Sequence, residues 1–153
     1  ADAAIANLVM LSPYYPIDNA VHKYQEKHPI GNVNDLLQIH LDVDTGCDDA
    51  QMIVLMVYLT KKYNKEIIGI IVWMAMPAAD VIVNTLITLQ RCGAKIPVYK
   101  GSKCNIQGHS VKDHYFGLDG LNNTQAKYAE ELTVEYRNLV QSKSAIIFMT
   151  EAA

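Results

Sequence analysis

Residues 36–63 read LLQIHLDVDTGCDDAQMIVLMVYLTKKY, and this stretch decides the fold class. The alternating start, Leu36–Leu41, predicts a β-strand, and the polar segment Asp42–Asp48 predicts a loop. Asp49–Tyr63 is almost continuously apolar, and its length favours a buried helix over a strand. A strand, a short loop and a helix together form the first unit of an α/β fold.

The alternation of strands and helices continues to the end of the chain. Glu66–Trp73 is rich in isoleucine and valine, which is typical of a central strand of a parallel sheet. The further predicted elements are a helix from Pro77 to Cys92, a strand at Ile96–Tyr99, a helix opening at Asn123 or Thr124 whose apolar stripe runs to Val140, and a strand at Ala145–Met149. This order predicts an open parallel sheet with helices on both faces, of the Rossmann-like type. Residues 1–35 lack the pattern and are predicted to be an N-terminal extension to a domain spanning 36–153.

Composition narrows the class of protein. The chain has 153 residues, half of them hydrophobic, and a net charge of −3, without the clustered basic face that nucleic-acid binding requires. It has no apolar run of about 18 residues that could span a membrane, and no signal-peptide layout at its start. Its three cysteines, Cys47, Cys92 and Cys104, have no paired spacing and are expected to be free thiols. We therefore expect a cytoplasmic protein that acts on a small molecule.

The loop after the first strand is strongly acidic. Asp42, Asp44, Asp48 and Asp49 lie within eight residues, at the carboxyl end of a strand, where open α/β sheets bind their ligands. Clustered carboxylates repel one another unless a cation or a proton neutralises them, and such oxygen donors suit calcium or magnesium. A solvated acidic turn explains one or two of these residues but not four. An EF-hand is a poor alternative because its twelfth position falls on Ile53.

The residues from Leu41 to Ala50 resemble the N-terminal DxDPGxDDA signature of the nucleoside hydrolase family, which is inosine- and uridine-preferring. Further segments resemble this family in the same order along the chain: Glu66–Ile70, Asn84, Ile96–Gly101 and His114–Leu121.

The resemblance implies calcium-dependent hydrolysis of the N-glycosidic bond of a purine or pyrimidine ribonucleoside to ribose and base. Asp44 would bind calcium and take a proton from the attacking water, and Asp49 would bind calcium. Asp48 would accept a hydrogen bond from a ribose hydroxyl, and Asp42 would support the loop. This chemistry suits carboxylates, because the transition state of glycoside cleavage develops positive charge.

The chain departs from the family in several places. Thr45 replaces a proline, and Phe116 replaces the second histidine of an HxH motif whose first histidine is His114. Met76 takes the place of an asparagine that contacts ribose, and a thioether cannot replace the hydrogen bonds of an amide. Met76 and His114 are the further substrate-contacting positions that the resemblance implies. The family is longer than this chain, so later ligands have no counterpart here, and Thr150 only approximates one of them. Impaired hydrolysis is therefore expected.

Two other interpretations stay open at this point. Asp42-Val43-Asp44-Thr45 also resembles the DxDxT loop of haloacid dehalogenase-like phosphatases, in which Asp42 would be the nucleophile and Asp44 the acid and base, with magnesium. The chain could instead be a non-catalytic family member that keeps a metal or ribose site. A homo-oligomer is a further expectation, since a second subunit could complete the pocket.

Overall fold

The structure is a computed structural model that describes residues 38–73, 78–102 and 116–152. The predictions for the extension at 1–35, for Met76, for Cys104 and for His114 fall outside the described residues. Cys47 and Cys92 are free thiols, as predicted.

Nine elements are formed by the described residues. In chain order they are β1 (Gln38–Val43), α1 (Cys47–Lys62), β2 (Glu66–Val72), α2 (Ala78–Cys92), β3 (Val98–Lys100), α3 (Gln125–Ala129), α4 (Val134–Arg137), β4 (Val140–Ser144) and α5 (Ala145–Ala152). The strands form one sheet in the order β1-β2-β3-β4, and every neighbouring pair is parallel. The predicted open parallel α/β sheet is confirmed. No helix in these ranges has the length and apolar content that crossing a membrane requires.

Helices cover the sheet on both faces. Neighbouring residues of a strand point to opposite faces, and in β2 the fully buried Ile70 and Ile71 belong to two different apolar clusters. The larger cluster contains Ile53 and Val57 of α1 and Leu89 of α2. The smaller cluster contains residues of α5. The two faces of β2 are therefore buried by different helices.

The helix predicted at Asp49–Tyr63 is confirmed as α1, but the helix is only partly buried, whereas the sequence predicts a buried one. Ile53 and Val57 face the sheet, four residues apart on one side of the helix. About 100° further around the helix, Val54 is 47% exposed and Tyr58 is 60% exposed. The helix is apolar around most of its circumference, while only one side of it is covered.

The strand predicted at Ala145–Met149 is wrong, because these residues begin α5. A short apolar run does not by itself distinguish a strand from a helix. Ala145 and Phe148 are buried at a helical spacing of three, and Phe148 stacks on Tyr99 of β3 with ring centroids 4.0 Å apart. The fourth strand is instead the polar segment Val140–Ser144, which pairs with β3.

The single helix predicted to run from Thr124 to Val140 is also wrong. The chain forms the short helices α3 and α4, and Thr133 between them has an extended backbone. The side chain of Gln90 in α2 stabilises this break, because it donates to the carbonyl of Glu131 and accepts from the N–H of Thr133, both at 2.9 Å. The apolar stripe still packs on the core, with Leu132 and Tyr136 buried.

Candidate active site

The four aspartates lie where β1 ends and α1 begins. Asp42 is part of β1, opposite Ile71 of β2, so the strand extends further than the sequence predicts. Asp44 lies in the connection, and Asp48 and Asp49 lie in the first turn of α1. Negative side chains are stabilised there by the unpaired N–H groups and the dipole of the helix. The predicted strand–loop–helix arrangement thus brings the acidic residues to the carboxyl end of the sheet.

Asp44 and Asp49 are in direct contact. The backbone N–H of Asp44 donates to Oδ2 of Asp49 at 3.1 Å. The pKa of Asp49 is raised to about 6, first by burial and then by a side-chain hydrogen bond with Asp44 and the negative charges of Asp44 and Asp48. The hydrogen bond from the backbone N–H of Asp44 acts in the other direction and lowers this pKa. The pair therefore carries more negative charge than its surroundings compensate.

This pair has the donor chemistry that a hard divalent cation prefers, because calcium binds carboxylate oxygens. However, two carboxylates are too few donors to complete the coordination shell of a cation. Across residues 38–73, 78–102 and 116–152, no group of three or more His, Cys, Asp or Glu side chains is placed to hold a metal ion. Calcium takes 6–8 oxygen ligands, so Asp44 and Asp49 could supply only part of its shell.

Asp48 and Asp42 occupy different surroundings from this pair. Asp48 is exposed, and its Oδ1 lies beside the backbone of Gly46, where an added Cβ would come within 3.2 Å of it. Burial raises the pKa of Asp42, whereas His40 and a hydrogen bond from the Trp73 side chain lower it. Asp42 therefore links β1 to the residue that follows β2.

Thr45, which stands at the family's proline position, fixes the acidic loop to α2. It is fully buried, and its hydroxyl lies 2.7 Å from the hydroxyl of Thr85. The Thr85 hydroxyl donates to the carbonyl of Val81, so Thr45 donates to Thr85. Threonine in place of proline thus supplies a hydrogen bond that proline cannot make.

Asn84 joins three segments around the site. Its side chain is fully buried, and its Nδ2 donates to the carbonyl of Thr45 at 2.9 Å and to the carbonyl of Asp119 at 2.8 Å. Its Oδ1 accepts from Nε2 of Gln125 at 2.7 Å. In the sequence, Asn84 is recognisable only as a match to the family. Its position within the apolar run VIVNTLITL was the available signal, since a buried amide requires partners.

Asp119 organises the loop that faces the acidic residues. Its carboxylate accepts three backbone N–H groups, from Leu121, Asn123 and Gln125, each at 2.8 Å. Burial raises the pKa of Asp119, but these backbone hydrogen bonds outweigh burial and lower it below its usual value. The carboxylate is therefore engaged in holding the loop at the start of α3.

The acidic loop and the 116–121 loop touch at two points. The thiol of Cys47 donates to the carbonyl of Gly120 at 3.4 Å. A Cβ at Gly46 would lie 3.2 Å from the ring of Phe116, so the close approach of the two loops leaves little room for a side chain at this position. Phe116, at the family's second histidine position, packs here as an apolar side chain. Thr150 lies in α5 and donates to the carbonyl of Ile146.

Together, the fold and site define a parallel α/β protein with a carboxylate-rich loop at the end of its first strand. A family model described as inosine-uridine preferring nucleoside hydrolase matches residues 39–153, and the chain belongs to that family.

Among solved structures, the chain is similar to an inosine-guanosine nucleoside hydrolase, with a TM-score of 0.58 and 24% sequence identity. The match covers 74% of this chain and 33% of that chain, so the present chain spans about a third of the length of that enzyme. This likeness supports the fold. A comparison with curated proteins finds no relative.

Proposed function

We propose that this chain takes part in hydrolysis of the N-glycosidic bond of purine or pyrimidine ribonucleosides to ribose and base. The observation that carries the proposal is the contact between Asp44 and Asp49, within a family signature that hydrogen bonds of Thr45 and Asn84 fix to α2. The phosphatase alternative loses support, because the family model that matches 39–153 is that of nucleoside hydrolases.

Asp44 and Asp49 are the residues proposed to hold calcium. A bound ion would supply positive charge that makes a nearby water more acidic. Asp44, whose side chain is exposed, accepts the proton of the attacking water. The water oxygen bonds to the anomeric carbon, and the electrons of the breaking C–N bond go to the base.

The sugar is held by hydrogen bonds and stabilised by charge. Asp48 is exposed beside the pair, and we assign it to accept a hydrogen bond from a ribose hydroxyl. The three carboxylates of Asp44, Asp48 and Asp49 stabilise positive charge that develops on the ribose ring. Met76 and His114 are also proposed to contact the substrate, and only the order of the family-like motifs along the sequence supports this. Met76 offers an apolar contact in place of an amide.

The test compares ribose release from inosine and uridine with phosphate release from a generic phosphate ester. Asp44→Asn and Asp48→Asn are the site variants. Glu130→Gln is the matched control, because Glu130 is an exposed carboxylate just after α3. We expect ribose release that requires calcium, is lost in Asp44→Asn and persists in Glu130→Gln. Phosphate release that disappears with Asp42→Asn, without any ribose release, would reverse the assignment. Calcium-dependent nucleoside binding without ribose release would identify a non-catalytic member of the family.

A further inference from the structure

The residue that follows Asp44 lacks the backbone restraint that the family signature has at this position. The signature has proline where this chain has Thr45. Proline fixes its own φ and confines the residue before it to extended conformations, so it would restrain Asp44 directly. Threonine imposes neither restraint. The backbone beside Asp44 is therefore held by other contacts in this chain.

A pair of hydroxyl groups anchors the side chain of Thr45 to α2. Thr45 and Thr85 are both fully buried, and their hydroxyl oxygens lie 2.7 Å apart although the residues are 40 positions apart in the sequence. The Thr85 hydroxyl donates to the carbonyl of Val81 at 2.9 Å, which leaves its oxygen to accept the proton of Thr45. A buried hydroxyl that loses its partner is costly, so this bond keeps the Thr45 side chain at one point on α2.

The backbone of Thr45 is anchored to the neighbouring residue of the same helix. Its carbonyl accepts from Nδ2 of Asn84 at 2.9 Å. The N–H of Asp44, in turn, donates to Oδ2 of Asp49 at 3.1 Å. Asp44 is thus held between an anchor on α2 and its contact with Asp49 in α1. A shift of Thr45 on α2 would move Asp44 relative to Asp49 and change the spacing of the two carboxylates.

We propose that Thr85 is a positioning residue of the candidate active site, and that its hydroxyl fixes the Asp44 carboxylate by way of Thr45. This inference rests on the proposed function, in which Asp44 holds calcium and takes a proton from water. Thr85 acts through Thr45 and replaces the restraint that a proline would provide. Loss of its hydroxyl therefore weakens calcium binding and lowers kcat. KM changes little, because Asp48, the residue assigned to the ribose, lies in α1.

The first experiment measures the calcium affinity of Thr85→Val by titration calorimetry without substrate. Valine keeps the volume of threonine and removes the hydroxyl. The Kd should rise about tenfold, since loss of an outer-shell partner typically costs about 10–100-fold in metal affinity. Thr85→Ser keeps the hydroxyl and should bind calcium as the wild type does.

Thr88→Val is the matched control for this experiment. Thr88 is also buried in α2, and its hydroxyl donates to the backbone carbonyl four residues earlier, as that of Thr85 does. The control should bind calcium as the wild type does. Unchanged affinity in Thr85→Val, or an equal loss in Thr88→Val or Thr85→Ser, would overturn the proposal.

The second experiment introduces the proline of the family signature. Thr45→Pro places the restraint in the backbone, so adding Thr85→Val to it should leave the calcium affinity unchanged. Thr45→Val serves the same purpose if the proline variant does not fold, because it already breaks the bond and a second valine should cost no more. A general structural effect of Thr85→Val would instead weaken calcium binding equally in every background, and that result would overturn the proposal.

Kinetic measurements separate this inference from the proposed function. With calcium at saturation, Thr85→Val should lower kcat for nucleoside hydrolysis about tenfold or more, while KM stays near the wild-type value. Ribose release by the wild type, with the same kcat in Thr85→Val, would overturn the positioning role and leave the proposed function intact. Calcium binding that depends on Thr85, without ribose release by the wild type, would overturn hydrolysis and leave the role of Thr85 in positioning Asp44 intact.

Discussion

The buried side-chain amide of Asn84 donates to the backbone carbonyl oxygen of Thr45, 39 residues earlier in the chain. The same nitrogen donates to the carbonyl of Asp119, and the amide oxygen accepts from Gln125. One side chain of α2 therefore sets the distance between the acidic loop and the loop that faces it. Ligand binding should depend on Asn84 even though it need not touch the ligand.

Replacing Asn84 with leucine is predicted to lower the free energy of unfolding by about 2–4 kcal/mol, because the carbonyls of Thr45 and Asp119 and the amide of Gln125 each lose a hydrogen bond. Thr88→Ala is the matched control in the same helix, since Thr88 donates only to the backbone carbonyl of Asn84. It should cost about 1 kcal/mol. Urea unfolding of the two variants checks this, and equal losses would show that the bridge contributes little.

The sequence predicted the first half of the fold because its elements carry regular apolar patterns. β2 is a run of isoleucine and valine between β1 and β3, and such a run has few alternatives to a central strand. β4 has no such pattern, because residues 142–144 are exposed and polar. The apolar run after it was mistaken for the strand, although its burial pattern is helical.

The candidate site was predictable only where neighbouring residues define it. Asp44, Asp48 and Asp49 belong to one short motif, and the motif alone placed them together. The bonds from Asn84 to Thr45 and Asp119 join residues 39 and 35 positions apart, and periodicity contains no information on such pairs. The backbone groups that bind Asp119 could likewise be identified only from the path of the loop in the structure.

We predict that protonation of the Asp119 carboxylate lowers the stability of the folded chain in acid. Its pKa is lower in the folded chain than its ordinary value of 3.8, so the folded state favours the charged form. The stabilisation is complete above pH 3.8 and is lost as the pH falls through the lower folded value. Asp119→Ala should be less stable at neutral pH, and the difference from the wild type should shrink below pH 3.8. Denaturation over this range checks the prediction, and a constant difference would contradict it.

Asp49→Asn is predicted to have opposite effects with and without calcium. Without the ion, the variant removes repulsion with Asp44 and Asp48 and keeps an acceptor for the Asp44 N–H, so stability should rise by less than about 1 kcal/mol. With calcium at about 100 times its Kd, the wild type and Glu130→Gln should gain about 2.7 kcal/mol, and Asp49→Asn should gain none. Thermal unfolding with calcium, magnesium or a chelator gives the comparison. A calcium shift that persists in Asp49→Asn would remove this residue from the ion site.

Gly46→Ala separates crowding at the site from backbone strain. Gly46 has a φ of −93°, which alanine adopts readily, but the new Cβ would press on Asp48 and Phe116 at 3.2 Å. Gly93→Ala tests the opposite case, because Gly93 has a φ of +66°, which strains alanine, while an added Cβ would have open space around it. Gly93→Ala should lose about 1 kcal/mol of stability with unchanged nucleoside affinity. Gly46→Ala should weaken nucleoside binding measured by calorimetry, and unchanged affinity would place the ligand away from this loop.

This chain is predicted to cleave ordinary nucleosides more slowly than a riboside with an activated leaving group. Departure of an ordinary base requires a proton, because the base nitrogen receives the electrons of the broken bond. A riboside whose leaving group departs as a stable anion requires no such proton. The sequence predicts impaired hydrolysis, and this prediction is tested here as the lack of a leaving-group acid. The loss of such an acid lowers the rate by about 10²–10⁴-fold.

We therefore expect the activated riboside to be cleaved faster than inosine or uridine by about that factor, with both rates lost in Asp44→Asn. The measurement is kcat/KM for both substrates in one preparation, and Asp44→Asn supplies the background rate. Fast cleavage of both would contradict the expected deficiency, because a residue of this chain or of a second subunit would then be supplying the proton. Nucleoside binding with cleavage of neither substrate would contradict hydrolysis itself, since an activated leaving group tests the water-activating carboxylate alone.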